Sequence, residues 1–226
     1  MRVRKKTGEE NYAKKIFGIE GSFTGVMSRL ADFVLLSVLW LLASLPLVTI
    51  VPSTAALYYS CVKSLRKEHG TPVAEFKSFF SKNWKQGIGL SILYLILGGL
   101  VGFNIYSVFH MDQDSMLYHV YIVISLWLGL LFAFLSIYLP AVFSRFEYGT
   151  VDFLKNSLFM AVRHTLTSLI LCAVSGAAIF LMLRVYVFLI VLPAVLAFVN
   201  SYGLEKVFRK YMMKTEDEEN LPWYWK

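Results

Sequence analysis

Hydrophobic residues occur along this chain in long runs that are separated by short polar segments. Four of the runs are each close to the ~20 residues that a helix needs to span ~30 Å of hydrocarbon. They lie at about 87–109, 119–143, 165–183 and 185–204. Arg184 alone separates the last two runs, which predicts a tight helical hairpin.

An earlier apolar stretch, 30–62, is too long for one modestly tilted helix and short for two full ones. If it turns back, six segments alternate from a cytoplasmic N-terminus, and every one of the 22 Lys and Arg residues except Arg184 is cytoplasmic. A single crossing would put two basic segments on opposite sides, against the positive-inside bias. We therefore predict an all-α, polytopic transmembrane helical bundle with six membrane segments, the first two forming a proline-broken hairpin. Five spans plus a re-entrant loop is the alternative.

This topology divides the chain into three parts. They are a cytoplasmic basic and amphipathic N-terminus at 1–29, a single transmembrane domain at 30–204 and a cytoplasmic tail at 205–226.

The predicted turn lies in LPLVTIVPSTAAL (45–57), where Pro46 and Pro52 each favour the end of a helix just before them. Backbone groups freed at membrane depth need partners inside the protein. The hydroxyls of Thr49, Ser53 and Thr54 can serve some of them, and Ser53 or Thr54 could cap a new helix. We expect this turn to pack against the other helices and to be a possible binding element.

The segment TPVAEFKSFFSKNWKQG (71–87) begins with a helix start signal, Thr71 followed by Pro72. Its aromatic residues repeat at helical spacing and its lysines lie off that stripe, which is typical of an interfacial helix on the inner leaflet. The predicted lipid or partner face comprises Phe76, Lys77, Phe80, Lys82, Trp84 and Lys85. The alternative is that the segment simply leads into the next membrane helix.

Gly98 and Gly102 form a small-xxx-small pair in the run at 87–109. Such a pair permits close helix contact, either within one subunit or between two copies. The oligomeric state is left open.

Composition excludes a soluble domain, because 57% of the residues are hydrophobic and only 16% are charged, where a soluble domain has about a quarter. In so apolar a chain, a net charge of +7 indicates basic loops that face anionic lipid rather than nucleic acid.

Signatures of catalysis are absent from the sequence: there is no phosphate-binding loop, no zinc-protease helix and no nucleophile elbow. We predict no enzymatic activity and no cofactor. The loop HMDQDSMLYH contains His110, Asp112, Asp114 and His119, which are metal-ligand residue types. Their spacing matches no specific motif, so an ordinary polar loop is favoured over a metal site.

The stretch LWLLASLPLVTIVPSTAALYYSCVKSLRKEHGTPVAEFKSFFSKNWKQG (39–87) resembles the YesL family of small bacterial membrane proteins. Its distinctive parts are L-P-x-V-T-x-x-P-x-x-A-A-L-Y-Y and F-F-x-K-N-W-K-Q. YLPAVFSRFEYGTVDFLKNSLFMA (138–161) and NSYGLEKVFRKY (200–211) are similar more loosely. Where the family usually has Gly before the second proline, this chain has Val51.

This resemblance implies a multi-pass protein of the bacterial cell membrane whose family has no established activity. Family members are often encoded beside ABC-type carbohydrate-uptake systems and sensor kinases, which suggests these as partners. The leading hypothesis is a non-enzymatic accessory or regulatory membrane protein associated with such uptake. The alternative is a small stand-alone carrier or channel that uses the proline-broken hairpin.

Overall fold

The computed structural model describes residues 27–111 and 116–212, and this part of the chain is helical with no strand. Its α-helices are α1 (Met27–Ser44), α2 (Ile50–Ser60), α3 (Pro72–Phe109), α4 (Met116–Phe143), α5 (Thr150–Arg163), α6 (Thr165–Arg184) and α7 (Leu192–Phe208). α2 continues as a π-helical turn over Cys61–Arg66, and 3-10 turns occupy Leu47–Thr49 and Tyr186–Ile190.

Four of these helices, α1, α3, α4 and α6, are long and apolar enough to cross a membrane by length and composition. The prediction of an all-helical membrane protein is confirmed at this level. α2 and α7 are shorter, at 11 and 17 residues.

Four pairs of packed helices in the bundle run in opposite directions. Tyr94 contacts Ser136, whereas Asn104, further along α3, contacts Ser125 near the start of α4. The same reversal relates α2 to α3, α6 to α7 and α7 to α1. Consequently α1, α3 and α6 run one way, and α2, α4 and α7 return.

The chain reverses between α1 and α2 with the help of Thr49. Its hydroxyl donates to the carbonyls of Ala43 and Pro46, both at 2.6 Å, and so serves carbonyl groups that the end of α1 leaves without helical partners. The turn itself is exposed, since Leu45 is 71% and Leu47 64% accessible. The expectation that this turn packs against the other helices thus holds for its second part, where Val51, Pro52 and Ser53 are buried, and not for its exposed first part.

α2 begins at Ile50, earlier than a cap at Ser53 or Thr54 would allow. Both hydroxyls instead donate to carbonyls one turn earlier, Ser53 to Thr49 at 2.6 Å and Thr54 to Ile50 at 2.7 Å. The prediction that they cap the helix is wrong, because Pro52 is accommodated within the first turn, where its missing donor costs no helical hydrogen bond.

α2 lies at the centre of the bundle, and its side chains contribute to both hydrophobic clusters. One cluster joins Val51, Ala55 and Tyr58 to residues of α4, α5 and α7. The other joins its opposite side to Leu36 of α1 and Phe76 of α3. A helix apolar all round is expected where it is surrounded by protein.

α3 starts at Pro72, directly after Thr71, as the sequence predicts, and continues without a break to Phe109. The amphipathic segment 71–87 is thus the first part of a 38-residue helix and not a separate element. This geometry agrees with the alternative given above, in which the segment leads directly into the next membrane helix.

Candidate functional site

One buried ionic cluster joins three separate elements at the end of the bundle where α2, α4 and α7 finish. The Tyr58 hydroxyl donates to Oε1 of Glu205 at 3.0 Å, and Nε of Arg145 donates to the same oxygen at 2.8 Å. A second guanidinium nitrogen of Arg145 lies 2.7 Å from that oxygen. The Arg145 and Glu205 side chains are only 1% and 5% exposed.

Arg145 and Glu205 lie at or near the ends of their helices. Arg145 follows α4, whose end is held by the Ser144 hydroxyl donating to Ala141 at 2.7 Å. Glu205 lies inside α7, which extends to Phe208 and so runs past the predicted domain boundary at 204. The two charges are kept out of water by the helices around them, so each depends on the other for compensation.

The same end of the bundle carries further basic contacts between elements, and we call it the basic end. Arg66 donates to the Ser201 carbonyl at 2.9 Å, and Lys63 pairs with Glu75 at 2.7 Å across the connection from α2 to α3. Partial burial lowers the pKa of Lys67, and the positive charge of Arg209 lowers it further. Basic side chains are thus crowded at this end.

A cavity of about 270 Å³ lies on the other side of Tyr58, between α1, α2, α4, α6 and α7. Its wall is mostly apolar and includes Pro140, Ile179 and Leu196. The polar side chains along it come from different helices. They are Trp40, Thr54, Tyr58, Ser136, Ser175 and Asn200.

Two of these polar groups are tied to each other within the predicted hairpin. The indole nitrogen of Trp40 in α1 donates to the Thr54 hydroxyl in α2 at 3.1 Å. Across the cavity, the Asn200 amide donates to the Ser175 hydroxyl at 3.1 Å. The Oδ1 atom of Asn200 is buried and has no hydrogen-bond partner among the described residues.

The predicted turn residues separate into an exposed part and a buried part. Pro46 is exposed and Thr49 is half-buried, whereas Pro52 and Ser53 are buried against the rest of the bundle. Of the five, Thr54 lines the cavity.

The residues of the predicted lipid or partner face also divide into a buried group and an exposed group. Phe76 is 3% exposed and belongs to the core beside α1 and α2, and Phe80 is half-buried next to it. The outward side of this part of α3 presents Trp84, which is 43% exposed, and the three lysines. These are Lys77, Lys82 and Lys85.

The four weak metal candidates cannot all be placed, because Asp112 and Asp114 lie outside the described residues. His110 is exposed, with its Nδ1 atom 2.9 Å from the Tyr106 carbonyl oxygen, and His119 is also exposed. Over residues 27–111 and 116–212, no group of three or more His, Cys, Asp or Glu side chains could hold a metal ion.

The sequence reasoning missed the ionic cluster and the cavity. It placed Arg145 in a cytoplasmic loop and Glu205 at the start of the cytoplasmic tail. One signal was available: Glu205 is the sole acidic residue between Asp152 and Glu216, and it sits in the helical stretch NSYGLEKVFRKY. A lone carboxylate in a stretch that is otherwise apolar and basic indicates a paired charge.

Comparison with known proteins agrees with the pattern of the first half of the chain. Residues 33–105 match a family described as "Protein of unknown function, DUF624". The chain is also 29% identical over 206 residues to "Uncharacterized protein YesL" of Bacillus subtilis (strain 168). That alignment covers 89% of this chain and 95% of the relative. The chain is therefore similar to YesL and to a family of unknown function.

The match to the DUF624 family at 33–105 includes α2 entirely and most of α1 and α3. The central helix of the bundle and the reversal that precedes it therefore lie within the family's matched region. No solved structure matches the chain significantly.

Proposed function

We propose that this chain is a six-segment protein of the bacterial cell membrane with both termini in the cytoplasm. The alternating directions of α1, α2, α3, α4, α6 and α7 support this topology, with α2 and α7 as short limbs. The positive-inside bias orients it, because the basic end carries Lys63, Arg66, Lys67 and Arg209. Arg184, at the opposite end, is the exception.

We further propose that it acts without catalysis, as an accessory that docks a partner complex on its cytoplasmic side. The observation that carries this proposal is the length of α3. Its 38 residues extend about 57 Å, whereas the hydrocarbon is ~30 Å thick. α3 is thus longer than one crossing requires, and Lys77, Lys82 and Lys85 favour the cytoplasmic surface for its first turns, which run beside α2.

The first four turns of α3 have a buried side and an outward side. Phe76 anchors it to α1 and α2, which holds the segment in a fixed position. The outward side offers the exposed ring of Trp84 among Lys77, Lys82 and Lys85. An exposed aromatic ring is typical of an interface anchor, and the lysines around it favour a partner with an acidic surface.

The family's association with carbohydrate uptake supports an ABC-type uptake system, or its sensor kinase, as the partner. To test this proposal, a photo-crosslinking amino acid replaces Lys82 and the protein is irradiated in native membranes. Mass spectrometry then identifies the adducts. We expect uptake-system or sensor-kinase subunits. A matched control at Phe103, which is 70% exposed on the same helix, should give lipid adducts alone.

Equal adduct patterns at positions 82 and 103, or lipid adducts alone at both, would contradict the docking proposal. As a second check, Lys77→Glu combined with Lys82→Glu should abolish the protein adducts formed from position 85, because the charge complementarity is reversed.

The cavity supports a second candidate, a carrier acting alone, because it adjoins the proline-broken hairpin through Trp40 and Thr54. Proteoliposomes that contain this chain alone test it. Flux of a sugar or ion above that of empty liposomes favours the carrier, and its absence across both classes favours the accessory.

A further inference from the structure

The cavity contains an unsatisfied polar group that the proposed docking role does not use. Asn200 is 7% exposed and Ser175 is 8% exposed, so both are shielded from bulk water. The Oδ1 atom of Asn200 has no partner among the described residues. Burying a polar atom without a hydrogen bond costs free energy. This cost indicates that another molecule donates a hydrogen bond to Oδ1.

The neighbouring hydroxyl complements that acceptor. Ser175 accepts a hydrogen bond from the Asn200 amide, and in the part of the chain that the structure describes no acceptor receives the proton of Ser175. Among the residues that line the cavity, this pair therefore holds one acceptor without a partner, Oδ1, and one neighbouring donor, the Ser175 hydroxyl. A hydroxyl group can donate to the first and accept from the second.

The other polar groups along the cavity are already occupied. The Thr54 hydroxyl receives the Trp40 indole and donates to Ile50. Ser136 is hydrogen-bonded to Tyr94, and the Tyr58 hydroxyl donates to Glu205. The remaining wall is apolar, so the part of a ligand beyond its hydroxyl group must be apolar as well.

We propose that the cavity is a binding site for a small aliphatic alcohol, held by Asn200 and Ser175 through its hydroxyl and by the apolar wall through its chain. The volume of about 270 Å³ accommodates roughly nine non-hydrogen atoms, at ~30 Å³ each. The cavity volume lies just below the usual range of volumes for small-molecule sites. The proposal is independent of the partner surface on α3.

Trp40 makes the proposal measurable, because it lines the cavity and bromine quenches tryptophan fluorescence on contact. The probe is bromo-octanol with its bromine and hydroxyl at opposite ends, and the control is bromo-octane. Both are titrated into nanodiscs holding the full chain with Trp40 as its sole tryptophan. The substitutions needed are Trp84→Phe, Trp127→Phe, Trp223→Phe and Trp225→Phe.

We expect half-maximal quenching of Trp40 at a roughly tenfold lower mole fraction of bromo-octanol than of bromo-octane, since two hydrogen bonds distinguish the probes. Asn200→Leu, which keeps the side-chain size but removes the amide, should erase that difference while quenching by bromo-octane persists. Persistent quenching shows that the variant retains its cavity.

Asn104→Leu is the matched control, because Asn104 lies on α3, bonded to Ser125, away from the cavity. It should leave the tenfold difference unchanged. Equal quenching by the two probes in the unsubstituted protein would overturn the proposal and assign the Asn200 acceptor to water. Loss of the difference in Asn104→Leu as well would also overturn it. Neither result bears on the crosslinks from position 82, so the two proposals fail separately.

Discussion

The ring of Pro52 packs directly against the backbone of Gly87. A Cβ atom built at Gly87 would lie 2.5 Å from Cβ of Pro52 and 2.8 Å from its Cγ. Pro52 is rigid and buried in the first turn of α2, so it cannot move aside. The close approach of α2 and α3 therefore depends on the absence of a side chain at position 87.

Gly87→Ala should separate these two helices and destabilise the protein by about 1–3 kcal/mol, the usual cost of overpacking a core. Thermal unfolding in detergent measures the effect as a lower Tm. Gly102→Ala is the control, because no atom lies within 4 Å of a Cβ at that position. A Tm of Gly87→Ala equal to or above that of the control would contradict the close contact.

Ser91 also fastens α3 to the start of α2. Its hydroxyl accepts a hydrogen bond from the backbone N–H of Val51 at 3.1 Å and donates to the Gly87 carbonyl at 2.9 Å. Ser91→Ala leaves a buried N–H without a partner and should cost about 1–3 kcal/mol. In the control Ser107→Ala, the lost hydroxyl bonds only within α3 and is exposed, so Tm should barely change. Equal losses at both positions would show that the Val51 contact adds no stability.

The buried pair of Arg145 and Glu205 predicts an asymmetric mutational response. Glu205→Gln leaves the guanidinium uncompensated and should cost about 3–5 kcal/mol in the free energy of unfolding. Replacing both members, as Arg145→Met with Glu205→Leu, should recover most of that loss because no charge stays buried. Unfolding in a denaturing detergent gives the free energy of unfolding of the unsubstituted protein, of Glu205→Gln and of the double variant.

The surface ion pair of Arg29 and Glu68 supplies the control for this experiment. Its side chains are 63% and 75% exposed, so Glu68→Gln should change stability by less than about 1 kcal/mol. A double substitution at 145 and 205 no better than Glu205→Gln alone would argue that the pair has a structural role beyond mutual compensation.

The proposed topology predicts the sidedness of single cysteines in a background where Cys61 and Cys172 are replaced. A cysteine at Lys77 should react with an impermeant maleimide from the cytoplasmic side only. A cysteine at Thr49 should be unreactive from that side, and one at Phe188, in the 3-10 turn before α7, should react from outside. External labelling at position 77 would reverse the orientation and remove the docking surface from the cytoplasm.

Local pattern was enough to predict the class of the protein and its main elements. The apolar runs at 87–109, 119–143 and 165–183 correspond to parts of α3, α4 and α6. The start of α3 at Pro72 and the reversal between α1 and α2 also agree. These features depend on a residue's own neighbours in sequence, namely run length, proline and helix start signals.

Packing details were less predictable. Gly98 and Gly102 stand out as a spaced pair, yet Gly87 makes the closest glycine contact between α2 and α3, and Gly102 faces open space. Phe76 has the same spacing as Trp84, yet one is in the core and the other exposed. A helical stripe shows which residues share a side of a helix, but not where along its length that side meets protein.

The sequence by itself thus determined an all-helical membrane chain that turns back at its prolines. Only the tertiary structure decided that Tyr58, Arg145 and Glu205 share one carboxylate oxygen, and that Asn200 and Ser175 share one cavity wall. The members of each group lie far apart in sequence, on different helices. Their meeting depends on how α2, α4, α6 and α7 pack side by side, which no local spacing encodes.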